Sequence, residues 1–312
     1  MMSSDKAAPA VQWITVDPER SGQRLDNFLI STLKGVPRAH IYRIVRKGEI
    51  RINKGRRSVD YRLQAGDVIR IPPLHTRAPP PQPPELDWLT GHILYEDDHL
   101  LVLNKPSGMA VHGGSALSFG VIEALRVLRP QARALELVHR LDRGTSGCLL
   151  VAKRRSALRT LQGALRGGAF DKRYVALLCG RLGGRRVIEA PLLRVEAADR
   201  RVVVNASGKV AQTILTPRLS CRGGTLVDIE LITGRTHQVR VHAAHIGHPV
   251  AGDETYGEAA CNDAWRAQGL SRLFLHAAEL SVPHPADGRV LRIEAPLPAD
   301  LRAVLAQAEC SE

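Results

Sequence analysis

Aromatic residues, long apolar runs and acidic residues are all scarce in this sequence. Phe, Trp and Tyr make up 4% of its 312 residues, and 31 Asp and Glu stand against 44 Lys and Arg, a net charge of +13. No apolar run approaches the roughly 18 residues that a membrane-spanning helix needs, so we expect no membrane domain. With 44% hydrophobic residues the chain has a globular composition. Its excess of positive charge favours polyanions as partners, nucleic acid first.

Closely spaced cysteine pairs are also missing. The five cysteines are scattered without a C-x-x-C spacing, at Cys148, Cys179, Cys221, Cys261 and Cys310. Structural zinc sites usually use tight Cys or His pairs, so zinc bound through cysteine is not expected. An odd, scattered set is typical of a reducing compartment, and the N-terminal stretch MMSSDKAAPAVQW lacks the apolar segment of a secretory signal. We therefore expect a cytoplasmic protein without a disulfide framework.

Basic charge and proline divide the chain into two domains. Residues 18–73 hold 13 Lys and Arg against 5 Asp and Glu. The stretch from Pro72 to Pro84 has seven prolines in thirteen positions, which is typical of an extended spacer. The sequence therefore predicts a basic domain over 20–73, a proline-rich linker over 74–86 and a second domain over 87–312.

The basic domain is predicted to hold two short helices and a small sheet. Leu25, Phe28 and Leu29 share one face of the first helix because their spacing is i, i+3 and i+4. A second helix begins near Pro37, and its bases point away from its apolar face. Bases gathered on one such face favour phosphate contact over a merely solvated surface. The predicted contacts of this domain are Arg38, Arg43, Arg46, Lys47, Lys54, Arg56 and Arg57.

One long segment of the basic domain resembles a known RNA-binding module. RLDNFLISTLKGVPRAHIYRIVRKGEIRINKGRRSVDYRLQAGDVIRIP is similar to an S4 RNA-binding domain over nearly its whole length. The resemblance implies that this domain holds structured RNA and reads its shape more than its sequence. An RNA partner agrees with the positive charge of the whole chain.

Three stretches of the second domain carry residues suited to chemistry. In HRLDRGTSG, Asp142 stands between two arginines, and neighbouring cations favour its ionised form. A held, ionised carboxylate can act as a nucleophile or a base, although an isolated R-x-D-R turn is more often a structural ion pair. The turn TGRTHQ leads into a helix whose N-terminus suits an anion. KRY places Tyr174 at the start of a strand.

Four histidines near the last of these stretches invite a comparison with metal sites. His237, His242, His245 and His248 are spaced five, three and three residues apart, and Pro249 follows the last of them. The proline breaks a shared helical face and no nearby cysteine completes a ligand set. We therefore expect no metal site there.

The second-domain motifs together resemble the RluA-type pseudouridine synthases. The matching stretches are HRLDRGTSG, KRYVAL, LITGRTHQVRVHAAHIGHPVAGDETYG and LLVLNKPSGMAVHGG, within roughly residues 20–300. With the S4 domain in front, they point to the RluC-like or RluD-like branch, and to the RluC-like pattern first. The resemblance implies an α+β chain in which a small S4 (αL) domain joins a catalytic domain built on a mixed, largely antiparallel sheet.

The same resemblance implies the activity and its partners. Uridine in 23S ribosomal RNA is isomerised to pseudouridine, either in free RNA or in an assembling large subunit, by a monomer without cofactor or metal. Asp142 is implied to be the catalytic carboxylate, Arg235 the arginine that pairs with it, and Tyr174 the ring that stacks on uracil. Arg140 is implied to enter the RNA helix, because a stacked uridine must be flipped out before it can react. Whether Asp142 attacks C1′, adds to the ring or removes the C2′ proton stays open.

Two other functions stay open at this point. A non-catalytic ribosome assembly factor could use the same fold only to hold ribosomal RNA, but it has no need of Asp142, Tyr174 and Arg235 together. A glycoside or nucleoside hydrolase normally uses two cooperating carboxylates, and the sequence offers one convincing candidate.

Overall fold

The computed structural model describes residues 11–33, 36–74, 86–113, 120–132, 134–195, 201–308 and 310, with the backbone alone at 38 and 39. The chain divides into two compact units, Met1–Glu85 and Leu86–Glu312. Of the predicted proline-rich linker, only the end residues Leu74 and Leu86 are described, so the rest of that prediction lies outside the described residues.

The first unit combines a small antiparallel sheet with two helices, as its sequence predicts. Its elements are β1 (Gln12–Thr15), α1 (Leu25–Thr32), α2 (Arg38–Arg46), β2 (Arg51–Ile52) and β3 (Val68–Ile71), with a 3-10 turn at Pro18–Arg20. The strand order is β1-β3-β2, so β3 lies in the middle. The sequence pattern did not predict β1, a short strand in which Trp13 is exposed.

One apolar core holds the helices of the first unit on its sheet. Leu25, Phe28 and Leu29 are buried together on α1, which confirms the predicted helical face. The residues that α2 adds to this core are Ile41, Ile44 and Val45. Burying a side chain of this size contributes about 1.5–3 kcal/mol. That burial fixes α2 with its opposite, basic face toward solvent.

The second unit is larger and mixes strands and helices along the chain. Its strands are β4 (Ile93–Glu96), β5 (Leu100–Lys105), β6 (Glu136–Leu137), β7 (Ser146–Ala152), β8 (Asp171–Cys179), β9 (Arg186–Glu189), β10 (Leu192–Arg194), β11 (Val202–Val204), β12 (Gln212–Cys221), β13 (Gly224–Leu231), β14 (Leu275–Pro283) and β15 (Val290–Glu294). Its helices are α3 (Val121–Leu128), α4 (Arg155–Arg166), α5 (Gln238–His245), α6 (Ala259–Ala267) and α7 (Ala299–Gln307), with a 3-10 helix at Asp87–His92. Within the described residues, no helix has both the length and the apolar character needed to cross a membrane.

Ten of these strands form one mixed sheet. Its order is β4-β5-β7-β14-β8-β13-β12-β9, with β15 beside β14 and β6 beside β7, while β10 and β11 form a separate pair. Within the described part of this sheet, the pairing of β14 with β7 is parallel and the other named strand pairings are antiparallel. The predicted fold class, α+β on a largely antiparallel sheet, is therefore confirmed.

Apolar clusters cover both faces of the large sheet. Alternation along β5 sends Leu101 and Leu103 to one cluster and Leu100 and Val102 to the other. Strand β7 is buried along its whole length, so the loop before it is attached to the core. Tyr174 belongs to the first cluster, and its ring is therefore held by the core.

Four of the five cysteines are bridged, so the expectation of a chain without a disulfide framework is wrong. Cys179 of β8 is bonded to Cys261 of α6, and Cys221 of β12 is bonded to Cys310 after α7. The partners are 82 and 89 residues apart in sequence, and spacing alone does not reveal such pairs. Cys148 is free and buried.

Candidate active site

A cleft of about 500 Å³ opens on the second unit where three stretches of chain meet. Most of its lining comes from residues 139–142, from Lys172 and Tyr174 of β8, and from residues 231–240, which run from the end of β13 into α5. The rest of the lining is Thr145, Leu165, Arg166, Gly168 and Leu275. Among the described lining residues, Asp142 is the one acid, and it faces five arginines and lysines. The structure places Asp142, Tyr174, Arg235 and Arg140 in this one cleft, with Arg140 exposed.

The loop that carries Asp142 is held by the segment that follows β5. The fully buried ammonium of Lys105 donates to two carbonyl oxygens of its own segment, at 2.8 Å each, and to that of Arg143 at 3.2 Å. The backbone N–H of Gly108 donates to the Arg143 carbonyl at 2.8 Å, and Arg143 Nε donates back to the Gly108 carbonyl at 2.8 Å. Sequence reasoning identified this KPSG stretch as a motif but missed its task, which is to fix the backbone beside Asp142.

The cation that contacts Asp142 is Arg240, in the first turn of α5. Its Nη1 atom lies 3.3 Å from Asp142 Oδ2. The same guanidinium donates to both oxygens of Asp253, at 2.7 and 2.8 Å, so two carboxylates share Arg240. The exposed fractions of Arg240, Asp142 and Asp253 are 11%, 16% and 0%. Such burial strengthens the attraction between these charges, because the local dielectric is low.

The predicted pairing of Arg235 with Asp142 is not found, and the partner is corrected to Arg240. Arg235 lies in the turn before α5, where its Nε atom donates to the carbonyl of Val210 at 3.0 Å. Arg235 is exposed, whereas Arg240 belongs to α5 and its side chain contacts Asp142. Both arginines lie in one motif, and the sequence alone does not show which of them reaches the carboxylate.

The turn into α5 is fixed by the buried amide of Gln238. Its Oε1 atom accepts from the hydroxyl of Thr233 at 2.7 Å and from the N–H of Arg235 at 3.0 Å. Its Nε2 atom donates to the carbonyl of Gln212 at 2.9 Å. His237, at the start of the helix, has a left-handed backbone with φ of 55°. Such a backbone is uncommon outside glycine and persists where surrounding bonds impose it, often at functional sites.

His237 brings an imidazole close to Asp142. Its Nε2 atom lies 3.9 Å from Asp142 Oδ1, and its Nδ1 atom is 2.8 Å from the hydroxyl of Tyr256. That hydroxyl accepts from the N–H of Val202 at 3.0 Å, so its own proton can be directed at Nδ1. Burial lowers the pKa of His237, which favours the neutral ring with its proton on Nε2, facing Asp142. Sequence reasoning considered His237 only as a metal ligand and missed this contact.

Tyr174 offers the cleft an aromatic face. The residue is 8% exposed and lies on β8. Burial, with a smaller effect from the charge of Asp142, raises the pKa of its hydroxyl. A phenol held neutral accepts protons poorly, so the useful part of Tyr174 is its ring, on which a base can stack.

The histidines of the α5 region do not converge on a common point. His242 is buried, with Nδ1 bonded to the hydroxyl of Thr213 and Nε2 donating to the Ala190 carbonyl, both at 2.9 Å. His248 Nδ1 donates to the carbonyl of Cys179 at 3.0 Å. Across the described ranges, no group of three or more His, Cys, Asp or Glu is placed to hold a metal ion.

The bases predicted to contact RNA from the first unit are exposed wherever their side chains are described. They are Arg43, Arg46, Lys47, Lys54, Arg56 and Arg57. The predicted contact Arg38 has a side chain outside the described residues. The ion pairs found within the described part of this unit use Arg20 and Arg24 instead, so acids do not neutralise these six bases.

Comparisons with known proteins decide the family. A family model for RNA pseudouridylate synthase matches residues 99–245, and an S4 domain model matches residues 23–69. The chain is 53% identical over 305 residues to ribosomal large subunit pseudouridine synthase C of Yersinia pestis, with 95% of both chains covered. The chain belongs to the RNA pseudouridylate synthase family. The protein of the same name from Escherichia coli (strain K12) is 50% identical over 307 residues, covering 95% of this chain and 96% of that one.

Solved structures of pseudouridine synthases agree with this family. Human RNA pseudouridylate synthase domain containing 4 covers 73% of this chain, with 26% identity and a TM-score of 0.61. The human domain-containing protein 1 covers 72%, with 28% identity and a TM-score of 0.59. The resemblance to a pseudouridine synthase behind an S4 domain, predicted from the motifs, is thus confirmed. The synthase match includes the Asp142 loop and the whole of α5.

Proposed function

We propose that this pseudouridine synthase isomerises specific uridines of the large-subunit (23S) ribosomal RNA, in the manner of the RluC-like branch. Relatives 53% and 50% identical to it are named for the ribosomal large subunit. The observation that carries the proposal is the setting of Asp142, a carboxylate that contacts Arg240 in a cleft also lined by Tyr174. A protein that only binds RNA gains nothing from an acid placed where phosphates approach.

The reaction needs a carboxylate at the ribose. The N1–C1′ bond breaks, the uracil turns, C5 bonds to C1′, the C5 proton is lost and N1 gains a proton. Asp142 can attack C1′, add to the ring or take the C2′ proton, and in each role its carboxylate must be held in place, as the contact with Arg240 does.

Access to C1′ requires that the nucleotide leave its helix, at a cost of a few kcal/mol. Stacking of the flipped uracil on Tyr174 offsets about 1–3 kcal/mol of this cost. Arg140, exposed where it lines the cleft, enters the gap that the base leaves. The seven bases of the first unit, Arg38 included, add phosphate contacts that hold the RNA.

Asp142→Asn tests the activity, because it keeps the shape of the side chain and removes its charge. We expect no pseudouridine in a 23S transcript while RNA binding is retained. The matched control is Asp228→Asn, whose side chain is 55% exposed on β13 and outside the cleft lining. Conversion by the Asp142 variant would remove the assignment.

Mapping pseudouridines in ribosomal RNA from cells that lack the gene identifies the target uridines. We expect specific pseudouridines to disappear and to return with the wild-type gene but not with the Asp142→Asn gene. An unchanged pseudouridine map together with defective subunits would instead support a non-catalytic assembly factor.

We also propose that the protein acts as a cytoplasmic monomer on RNA of an assembling subunit. One chain supplies all the described residues that line the cleft. The location rests on the RNA substrate alone, because the bridged cysteines remove the argument from cysteine spacing. Light scattering of the purified protein and activity on naked RNA, precursor particles and mature subunits test these points; a dimer, or activity restricted to mature subunits, would contradict them.

A further inference from the structure

Four of the five cations that line the cleft have no acidic partner among the described residues, and two of these, Lys172 and Arg235, are neighbours. Lys172 of β8 and Arg235 both line the cleft, and the ion pairs of this region involve their neighbours instead. Lys172 Nζ lies beside the backbone of Gly234, 3.5 Å from where a Cβ would stand. Arg235 Nε is bound to the Val210 carbonyl, which fixes the guanidinium and leaves its two Nη nitrogens to donate to a ligand.

Placing two like charges together in a partly buried cleft costs free energy unless an anion joins them. Burial, and after it the charge of Arg235, lowers the pKa of Lys172, as expected for an ammonium without a counter-charge. Asp142 is already engaged by Arg240 at 3.3 Å. The missing negative charge must therefore come with the substrate.

We propose that Lys172 and Arg235 form a subsite for the phosphodiester group adjoining the flipped uridine. The inference rests on the proposed function, which supplies an RNA substrate. Lys172 and Tyr174 point to the same face of β8, because alternate strand residues do so at about 6.6–6.8 Å spacing. This spacing is comparable to the reach from a nucleobase to its own phosphate. The subsite holds the backbone while Tyr174 holds the base, which sets the ribose between them in the cleft of Asp142.

Lys172→Met removes the charge and keeps most of the side-chain length. We expect about tenfold weaker binding to a 23S fragment that contains the target uridine, since a charge-assisted hydrogen bond is lost. The slope of log K against log salt should fall in magnitude by about 0.7. The matched control is Arg173→Met, because Arg173 points to the opposite face of β8 and pairs with Asp171 at 3.1 Å. The control should bind and convert RNA as the wild type does.

A single neutral methylphosphonate, ligated at the linkage 5′ or 3′ of the target uridine, locates the phosphate. At one of these two linkages it should weaken RNA binding by the wild type by the same factor as the Lys172→Met substitution does. At that linkage it should not weaken RNA binding by the Lys172→Met variant any further. Such a non-additive result identifies a direct contact. If the two losses multiply at both linkages, Lys172 contacts another part of the RNA, such as a uracil carbonyl, and the subsite is overturned.

Two further readouts keep the test decisive. Circular dichroism melting shows whether Lys172→Met folds. If it does not, Arg235→Gln, at an exposed position, replaces it, and binding of the unmodified and the methylphosphonate RNA is measured in the same way. Wild-type affinity in the variant that is tested also overturns the subsite. Conversion of the unmodified transcript by the wild type reports on the proposed function separately, because the subsite is tested by binding alone.

Discussion

Asp253 holds Arg240 through hydrogen bonds of 2.7 and 2.8 Å, both shorter than the 3.3 Å contact between Arg240 and Asp142. Asp253 Oδ1 also accepts from the N–H groups of Thr255 and Tyr256, at 2.9 and 3.0 Å. Burial acts to raise the pKa of Asp253, but the bonds from Arg240 and these N–H groups hold it below its usual value. The direction in which Arg240 points is therefore set by an acid outside the lining of the cleft.

Arg240→Lys keeps the positive charge but loses the planar fork that binds two carboxylates at once. We expect kcat to fall about 10²-fold, as for a misplaced catalytic group, with little change in RNA affinity. Single-turnover pseudouridine formation and filter binding separate the two quantities. A wild-type rate in the lysine variant would mean that charge alone suffices and that the fork is dispensable.

Asp253→Asn tests whether the second carboxylate positions the guanidinium. We expect a fall in kcat approaching that of Arg240→Lys, with KM nearly constant, because Asp253 is fully buried and outside the cleft lining. Glu254→Gln is the matched control, since Glu254 is 77% exposed and pairs with Arg266 at the surface. A raised KM with constant kcat would instead assign Asp253 to substrate binding.

Lys105→Met tests, through the pH dependence of stability, whether the hydrogen bonds of Lys105 hold the loop that carries Asp142. Burial lowers the pKa of Lys105 from 10.5 to about 7. Between these values the unfolded chain binds more protons than the folded one, so this group makes the free energy of unfolding rise with pH. Methionine does not titrate, and the variant also takes the Lys105 donor from three carbonyl oxygens, of which that of Arg143 keeps the N–H of Gly108.

The stability gap between wild type and Lys105→Met should therefore widen as pH rises from about 7 to about 9. Urea unfolding of both proteins at the two pH values measures it. A constant gap would show that the ammonium keeps its proton in the folded protein throughout this range.

Gly147→Ala should destabilise the protein strongly. Gly147 has φ of +107°, and a Cβ there would lie 2.2 Å from the carbonyl oxygen of Ala277 on β14. Backbone strain and overpacking together predict a loss of about 2–6 kcal/mol. Gly163→Ala in α4 is the control, because nothing lies within 4 Å and alanine should stabilise this helix by about 0.5–1 kcal/mol. Thermal unfolding compares the two, and equal melting temperatures would contradict the strain argument.

The sequence predicted most of the fold and part of the site. Helical spacing predicted the buried face of Leu25, Phe28 and Leu29, because local periodicity and burial agree there. Motif resemblance placed Asp142 and Tyr174 in one catalytic site, and the structure puts both in one cleft. Their chemical roles stay predictions until the variants are measured.

The remaining features depend on contacts between distant parts of the chain. Whether Arg235 or Arg240 contacts Asp142 depends on how α5 and the turn before it pack against the Asp142 loop. Asp142 and Arg240 are 98 residues apart in the sequence. The Cys179–Cys261 bridge spans 82 residues. The burial of Lys105 follows from the packing of one loop over another, which periodicity does not encode.

The first unit keeps its apolar core to itself, since every member of that cluster lies between Ile14 and Leu74. None of the residues in this core belongs to the cleft that contains Asp142. In enzymes of this kind, the RNA-binding domain can therefore be replaced, or its basic face can change, without a change in the catalytic domain. RNA binding by the first unit and bond chemistry in the second can then change independently within one polypeptide.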